Sequence, residues 1–262
     1  MSGNIEDRRG FSGGGLKLGF GGTILLLILS LIFGRDFLSL VGESPTGSSE
    51  APYSSSTDRA ETADRNLQFL SFVLDDAQST WHALLPSYRD AKLVLFTGVV
   101  HSACGSAQSA TGPFYCPADE KLYLDTSFFA ELNERFGAPG DFAQAYVIGH
   151  EIGHHVQNIL GTTREVQRYQ RAHPRQANTA SVQLELQADC LAGVWGHSTA
   201  QRNILEPGDV EEGLNAAAAI GDDRLSGGRV SPDSFTHGTS AQRVEWFRRG
   251  LQSGDIRACE TF

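Results

Sequence analysis

The sequence predicts an α+β protein, with a small β-sheet packed on a mostly helical domain and preceded by one membrane-spanning helix. Three observations predict it. Short strand-like apolar runs fall between residues 92 and 125. From Ser127 onward the apolar residues recur at helical spacing. Ahead of both, Leu18 to Gly34 is an uncharged run of 17 residues. A sheet followed by helices is α+β order.

The elements follow in chain order. Residues 1–17 carry Arg8, Arg9 and Lys17 and are expected to lie outside the globular fold. As a helix, residues 18–34 reach about 25 Å, enough for a bilayer core with Lys17 and Arg35 snorkelling. The basic flank before the run predicts a cytoplasmic N-terminus. No Ala-x-Ala-like site follows it, so the run reads as an uncleaved anchor and the remainder as extracytoplasmic. Residues 35–57 form a Ser/Pro/Gly linker. The domain then spans 58–262. It begins with a helix whose stripe includes Leu67, Leu70, Phe72, Val73, Leu74 and Trp81. Lys92–Thr97 is a strand of buried type, and Phe114-Tyr115 and Lys121–Asp125 form a hairpin across the Pro117–Glu120 turn. Helices are expected over Ser127–Phe136, Asp141–Leu160, the Val182–Leu191 region, Gly208–Arg224 and Ser240–Gly250.

His150-Glu151-Ile152-Gly153-His154 lies in the second of these helices. Histidines four apart share a helix face, so both imidazoles can reach one tetrahedral cation. Glu151 stands beside them, placed to take a proton from a water activated at the metal. The helix begins after Pro139-Gly140 with Asp141 and stops at Gly161. Gly149 and Gly153 each cost roughly 1 kcal/mol of helix propensity, which makes sense if a backbone or substrate passes close by.

A catalytic zinc takes three protein ligands and keeps a fourth position for water. The third is expected from Glu185 or Asp189, which lie one turn apart on a helix with Leu184, Ala188 and Leu191. Two carboxylates at that spacing repel unless a cation or donor separates them. One on the metal and the other accepting a ligand histidine's Nδ1–H resolves the conflict. Further on, His237 precedes Gly238, and Arg243 falls in the following helix. Amide hydrolysis builds charge on the carbonyl oxygen, and His237 is the candidate donor to it. Arg243 either positions His237 or clamps a nearby carboxylate. His155 points off the motif's face, and His82, His101, His173 and His197 have no partner motif.

The four cysteines behind an export signal suggest two disulfides. Cys104 and Cys116 flank a Gly/Ser loop, which leaves Cys190 and Cys259 as a bridge from the site helix to the tail. A net charge of −10 argues against a nucleic-acid partner.

Together these residues resemble the bacterial neutral zinc metallopeptidase family, the YpfJ-like proteins. The resemblance is carried by Glu6–Gly10 ahead of one apolar run, Phe114–Pro117, Arg135–Ala145, the metal helix, Leu184–Cys190 and Asp233–Ser240. It implies a zincin-like fold of the gluzincin type. The chain is also distantly similar to gluzincins of the CAAX-protease type, in which HExxH is followed by Glu-x-x-Ala-Asp and later by a His with an Arg six positions on. Glu185/Asp189 and His237/Arg243 match that pattern here. Gly238 departs from it, standing where those proteins usually have Pro. The resemblance implies His150, His154 and Glu185 as ligands of Zn2+, Asp189 behind a ligand histidine, and His237 as transition-state donor. Asp189 as ligand is the alternative.

The expected function is that of a membrane-anchored zinc endopeptidase acting on peptide or protein substrates. Glu151 activates water and returns the proton to the leaving amine. The alternatives are a zinc-stabilised envelope adaptor or chaperone-like protein, and a zinc amidase acting on a non-protein amide.

Overall fold

Leu93, Val94, Leu95 and Phe96 are all buried, as an apolar run covered on both faces requires. They form β2 (Lys92–Phe96), a central strand in the computed structural model, which describes residues 2–9 and 56–262. The chain divides into two units, residues 1–11 with 65–262 and residues 12–64. The first contains everything described below except the first turns of the first helix, residues 56–64. The apolar run 18–34 lies outside the described residues, among which no helix is long and apolar enough to cross a membrane.

The main sheet has the order β1-β2-β6-β5. β2 pairs in parallel with β6 (Lys121–Asp125), and β6 pairs antiparallel with β5 (Phe114–Cys116) in the expected hairpin. Leu93, Leu95, Leu122 and Leu124 face the helical core. Val94, Phe96 and Tyr123 face the other way, toward Val100 and Cys116. Val100 belongs to a separate hairpin, β3 (Val99–Ser102) with β4 (Gly105–Gln108), which the sequence reading left unassigned.

The remaining strand corrects an expectation. Of residues 1–17, expected outside the fold, the described residues 2–9 belong to it, because Ile5–Asp7 form β1 at the sheet edge. β1 runs parallel to β2 with Ile5 beside Leu93, and Leu93 N–H donates to Asn4 O at 2.8 Å. Glu6 binds Lys121 Nζ at 2.7 Å. Strands from either side of the run 18–34 are thus neighbours in one sheet.

The helices are α1 (Ser56–Leu84), α2 (Ser127–Glu134), α3 (Asp141–Leu160), α4 (Thr162–Ala172), α5 (Ala177–Gln201), α6 (Asp209–Ala219), α7 (Asp222–Leu225) and α8 (Ser240–Ser253). α1 buries Leu67, Leu70, Val73, Leu74 and Trp81, whereas Phe72, expected in the same stripe, is 52% exposed. α3 packs on α5 and α6, and α8 packs on α5. Asp141 does not cap α3; Glu212 of α6 accepts from Phe142 N–H at 3.1 Å instead. Gly149 and Gly153 let α5 approach: a Cβ on Gly153 would lie 2.8 Å from the Ala188 carbonyl oxygen. The helix expected over 208–224 is broken after Ala219 and resumes at Asp222. Both disulfides, Cys104–Cys116 and Cys190–Cys259, are present, and no cysteine is free.

Candidate metal centre

One face of α3 carries His150, Glu151 and His154 into the centre of the helical layer, where α5 presents Glu185 and Asp189. Ligand atoms of His150, His154 and Glu185 lie within 4.8 Å of one another. His150 Nε2 is 3.2 Å from Glu185 Oε2, and His154 Nε2 is 3.4 Å from Glu185 Oε1. Bonds of about 2.0–2.1 Å at tetrahedral angles place neighbouring zinc ligands about 3.3 Å apart. These residues therefore fit zinc by spacing as well as by type.

The ring nitrogens on the far side agree. His150 Nδ1–H donates to Asp189 Oδ1 at 2.9 Å. His154 Nδ1–H donates to Gln157 Oε1 at 2.8 Å, and Gln157 is itself held by Leu184 O and Gln187 Oε1. Each Nδ1–H has an acceptor, so both Nε2 lone pairs are left for a cation. Glu185, not Asp189, thus completes the group that could hold a metal, and Asp189 bonds His150 from behind.

Asp189 is fully buried and accepts four hydrogen bonds. Besides His150, Tyr146 Oη donates to Oδ1 at 2.5 Å, Arg243 Nη2 to Oδ1 at 2.9 Å and Arg243 Nε to Oδ2 at 2.8 Å. Arg243 is 1% exposed and also donates to Ile220 O at 3.2 Å. Of its two expected roles, the structure shows the carboxylate clamp. Arg243 therefore lies behind both Asp189 and His150, its Nη2 3.3 Å from His150 Nδ1.

The electrostatics of the group favour positive charge at its centre. Burial opposes charge on His150, but Asp189 and Glu185 outweigh it and raise its pKa to about 9. Burial likewise works against the Glu185 carboxylate, yet His154 and His150 hold it well below the usual range. Asp189 is lowered by Arg243 and His150 against its burial. Glu151 goes the other way: burial raises it despite the two histidines, leaving a carboxyl that takes up a proton readily.

A cleft of about 660 Å³ opens onto this group. Its walls include Phe114 and Tyr115 of β5, Phe128 of α2, and His237 from the loop before α8. His237 is exposed and donates Nδ1–H to Asp222 Oδ1 at 3.0 Å. The structure brings His150, Glu151, His154, Glu185, His237 and Arg243 to one cleft. The other histidines serve locally. His155 bonds the Arg89 carbonyl and the Tyr115 hydroxyl, and His197 bonds Leu251 O.

Sequence reasoning missed Tyr146, Gln157 and Asp222. Tyr146 is four residues before His150, and Gln157 three after His154, so helical spacing from each ligand would have found both. Asp222 carries no such signal, because a chain reversal brings it to His237.

Residues 1–262 match the family described as "Putative neutral zinc metallopeptidase". The chain is 47% identical over 279 aligned positions to Escherichia coli "Uncharacterized protein YpfJ", covering 100% of this chain and 96% of that one. It is 44% identical over 202 positions to Mycobacterium tuberculosis "Uncharacterized protein Rv2575", covering 72% of this chain and 68% of the relative. No solved structure matches the chain.

Proposed function

Because the chain belongs to the neutral zinc metallopeptidase family, we propose that it is a zinc endopeptidase, with His150, His154 and Glu185 holding the metal. One observation carries this reading. Two Nε2 atoms and one carboxylate converge at ligand spacing, and Glu151, a buried acid that none of those contacts uses, stands on the same face. Zinc held there would supply a Lewis acid and lower the pKa of a water. Glu151 would accept a proton from the attacking water and pass it to the leaving amine. His237 donates to the carbonyl oxygen as negative charge develops on it.

The architecture supports a zincin-like reading, since the antiparallel edge strand β5 lies against the metal-binding helix α3. The two disulfides support an oxidising, extracytoplasmic setting. A membrane-attached form belongs to the same reading, with β1 and the metal centre on one side because β1 pairs with β2.

The test is zinc per chain and proteolysis of labelled casein, for wild type, Glu151→Gln and Glu185→Ala. Wild type should bind close to one zinc and cleave. Glu151→Gln should keep the metal and lose about 10²–10⁴-fold in rate, and Glu185→Ala should lose the metal. Full casein cleavage by Glu151→Gln would overturn the assignment. Zinc binding without peptide cleavage would favour the amidase or adaptor reading.

A further inference from the structure

The carboxylate of Asp222 is used up on one short loop. Its Oδ2 accepts from three successive backbone N–H groups, Thr236 at 2.7 Å, His237 at 2.7 Å and Gly238 at 3.1 Å. Its Oδ1 accepts from His237 Nδ1–H at 3.0 Å. The next residue repeats the pattern one step along: Asp223 Oδ1 accepts from Ser240 N–H and from its hydroxyl, both at 2.8 Å. Asp222 N–H in turn donates to Gly238 O at 2.9 Å. The two segments meet without side chains between them, because a Cβ on Gly221 would fall 2.3 Å from Ser240 N. This explains the interruption between α6 and α7. A continuous helix would carry Asp222 past the loop instead of into it.

We infer that Gly221-Asp222-Asp223 is the clamp that positions His237 at the cleft, with Asp222 fixing both the ring's orientation and its tautomer. Three backbone bonds to one oxygen fix where the His237 backbone lies relative to the carboxylate. The fourth bond, from the second oxygen, then sets the ring angle. With Nδ1–H held by Asp222, Nε2 is the nitrogen offered to a substrate, and it donates to an oxyanion in the imidazolium form, whose charge the Asp222 carboxylate faces. Pre-set donors lose less on reaching the transition state than donors that must be ordered during the reaction. Thr236 Oγ1, 3.1 Å from Nδ1, flanks the same contact. Asp222 touches no residue of the metal group; it acts through His237.

The catalytic half of this inference rests on the reading of His237 given above, so the test has two arms. In the first, casein cleavage is measured for Asp222→Ala, His237→Ala and the double variant of the full chain. His237→Ala should lose about 10²–10³-fold in kcat. Asp222→Ala should lower kcat with KM within about twofold, zinc per chain should not change, and the double variant should be no worse than His237→Ala. Losses that multiply in the double variant would overturn the clamp, since Asp222 would then act independently of His237. The second arm needs no activity. In ¹⁵N spectra, neutral His237 should carry its proton on Nδ1 in wild type. In Asp222→Asn the amide nitrogen can instead donate to Nδ1, moving the proton to Nε2. An unchanged tautomer in that variant would overturn the inference even for a fully active enzyme. If the chain cleaves no peptide while the tautomer shifts, the clamp stands and the peptidase reading falls.

Discussion

Replacing Asp189 by Asn changes one atom and tests the whole support behind the metal centre. In the structure Oδ1 receives His150 Nδ1–H, Tyr146 Oη–H and Arg243 Nη2–H, while Oδ2 receives Arg243 Nε–H. Asn offers one acceptor oxygen. If that oxygen keeps the three donors, its NH2 faces the Nε–H at the 2.8 Å now spanned by a hydrogen bond, donor against donor. If it turns, the conflict moves to His150 and Tyr146. Either way a guanidinium that is 1% exposed loses its nearest counter-charge and keeps only Glu185 at 4.0 Å. Breaking a buried pair from one side costs about 3–5 kcal/mol. For a unit of this size that lowers Tm by about 6–20 °C, at about 2–4 °C per kcal/mol. Zinc affinity should fall about 10–100-fold as well, because His150 loses the acceptor that fixes its tautomer. The assay is thermal unfolding of the zinc-free protein together with a competitive chelator titration. A Tm within about 2 °C of wild type would refute the energetic argument. A large fall in Tm with zinc affinity unchanged within about twofold would show that Asp189 holds the helices together and does nothing for the metal.

Other outcomes follow from the same geometry. The Asp189 carboxylate is held below the 3.8 of an ordinary aspartate, so its contribution is present above that pH and lost as pH falls through the lower folded value. The stability gap between zinc-free wild type and Asp189→Asn should therefore close in strong acid, and a gap that stays constant down to denaturation would contradict this. Removing the Cys190–Cys259 bridge, with a sequence separation of 69, should cost about 4 kcal/mol against about 3 kcal/mol for Cys104–Cys116, with a separation of 12. Equal or reversed losses on denaturant unfolding would show that native contacts, not loop closure, set the difference. Finally, single cysteines at the exposed positions Gly3 and Arg248 should react with a membrane-impermeant maleimide from the same side of intact cells. Labelling from opposite sides would mean that β1 does not pair with β2 in the cell.

The parts of this molecule that could be read from sequence are those whose signal is local. α3 was legible because apolar spacing, a closing glycine and two histidines four apart all describe one helix. α5 was legible from Leu184, Ala188 and Leu191, and Glu185 and Asp189 fall on its inner side as a ligand and a support would. β1 was not legible, since Ile5-Glu6-Asp7 is three residues long, two of them charged, and pairs with a strand some 85 residues away. β4 reads Gly-Ser-Ala-Gln, which has no strand propensity to detect. α4 buries Val166 alone, so it lacks the stripe that marks a helix. The break after Ala219 escaped because an alanine run continues a helix in any local account. What stops it is the close approach at Ser240, a contact between segments. Arg243 was identified as a residue of interest, but which partner it clamps is settled by α5 and α8 lying side by side.

Pairing β1 with β2 also imposes an order of events. Ile5–Asp7 is synthesised first, and its partner Lys92–Phe96 follows only after some 85 further residues, with the neighbouring β6 later still. Through that interval the N-terminal strand has no ladder to join, and closing so wide a loop is among the slow steps of folding. Whatever the intervening chain meets during synthesis is met before the sheet exists. A chain whose β1 failed to return would complete its metal centre while leaving β2 as an open edge.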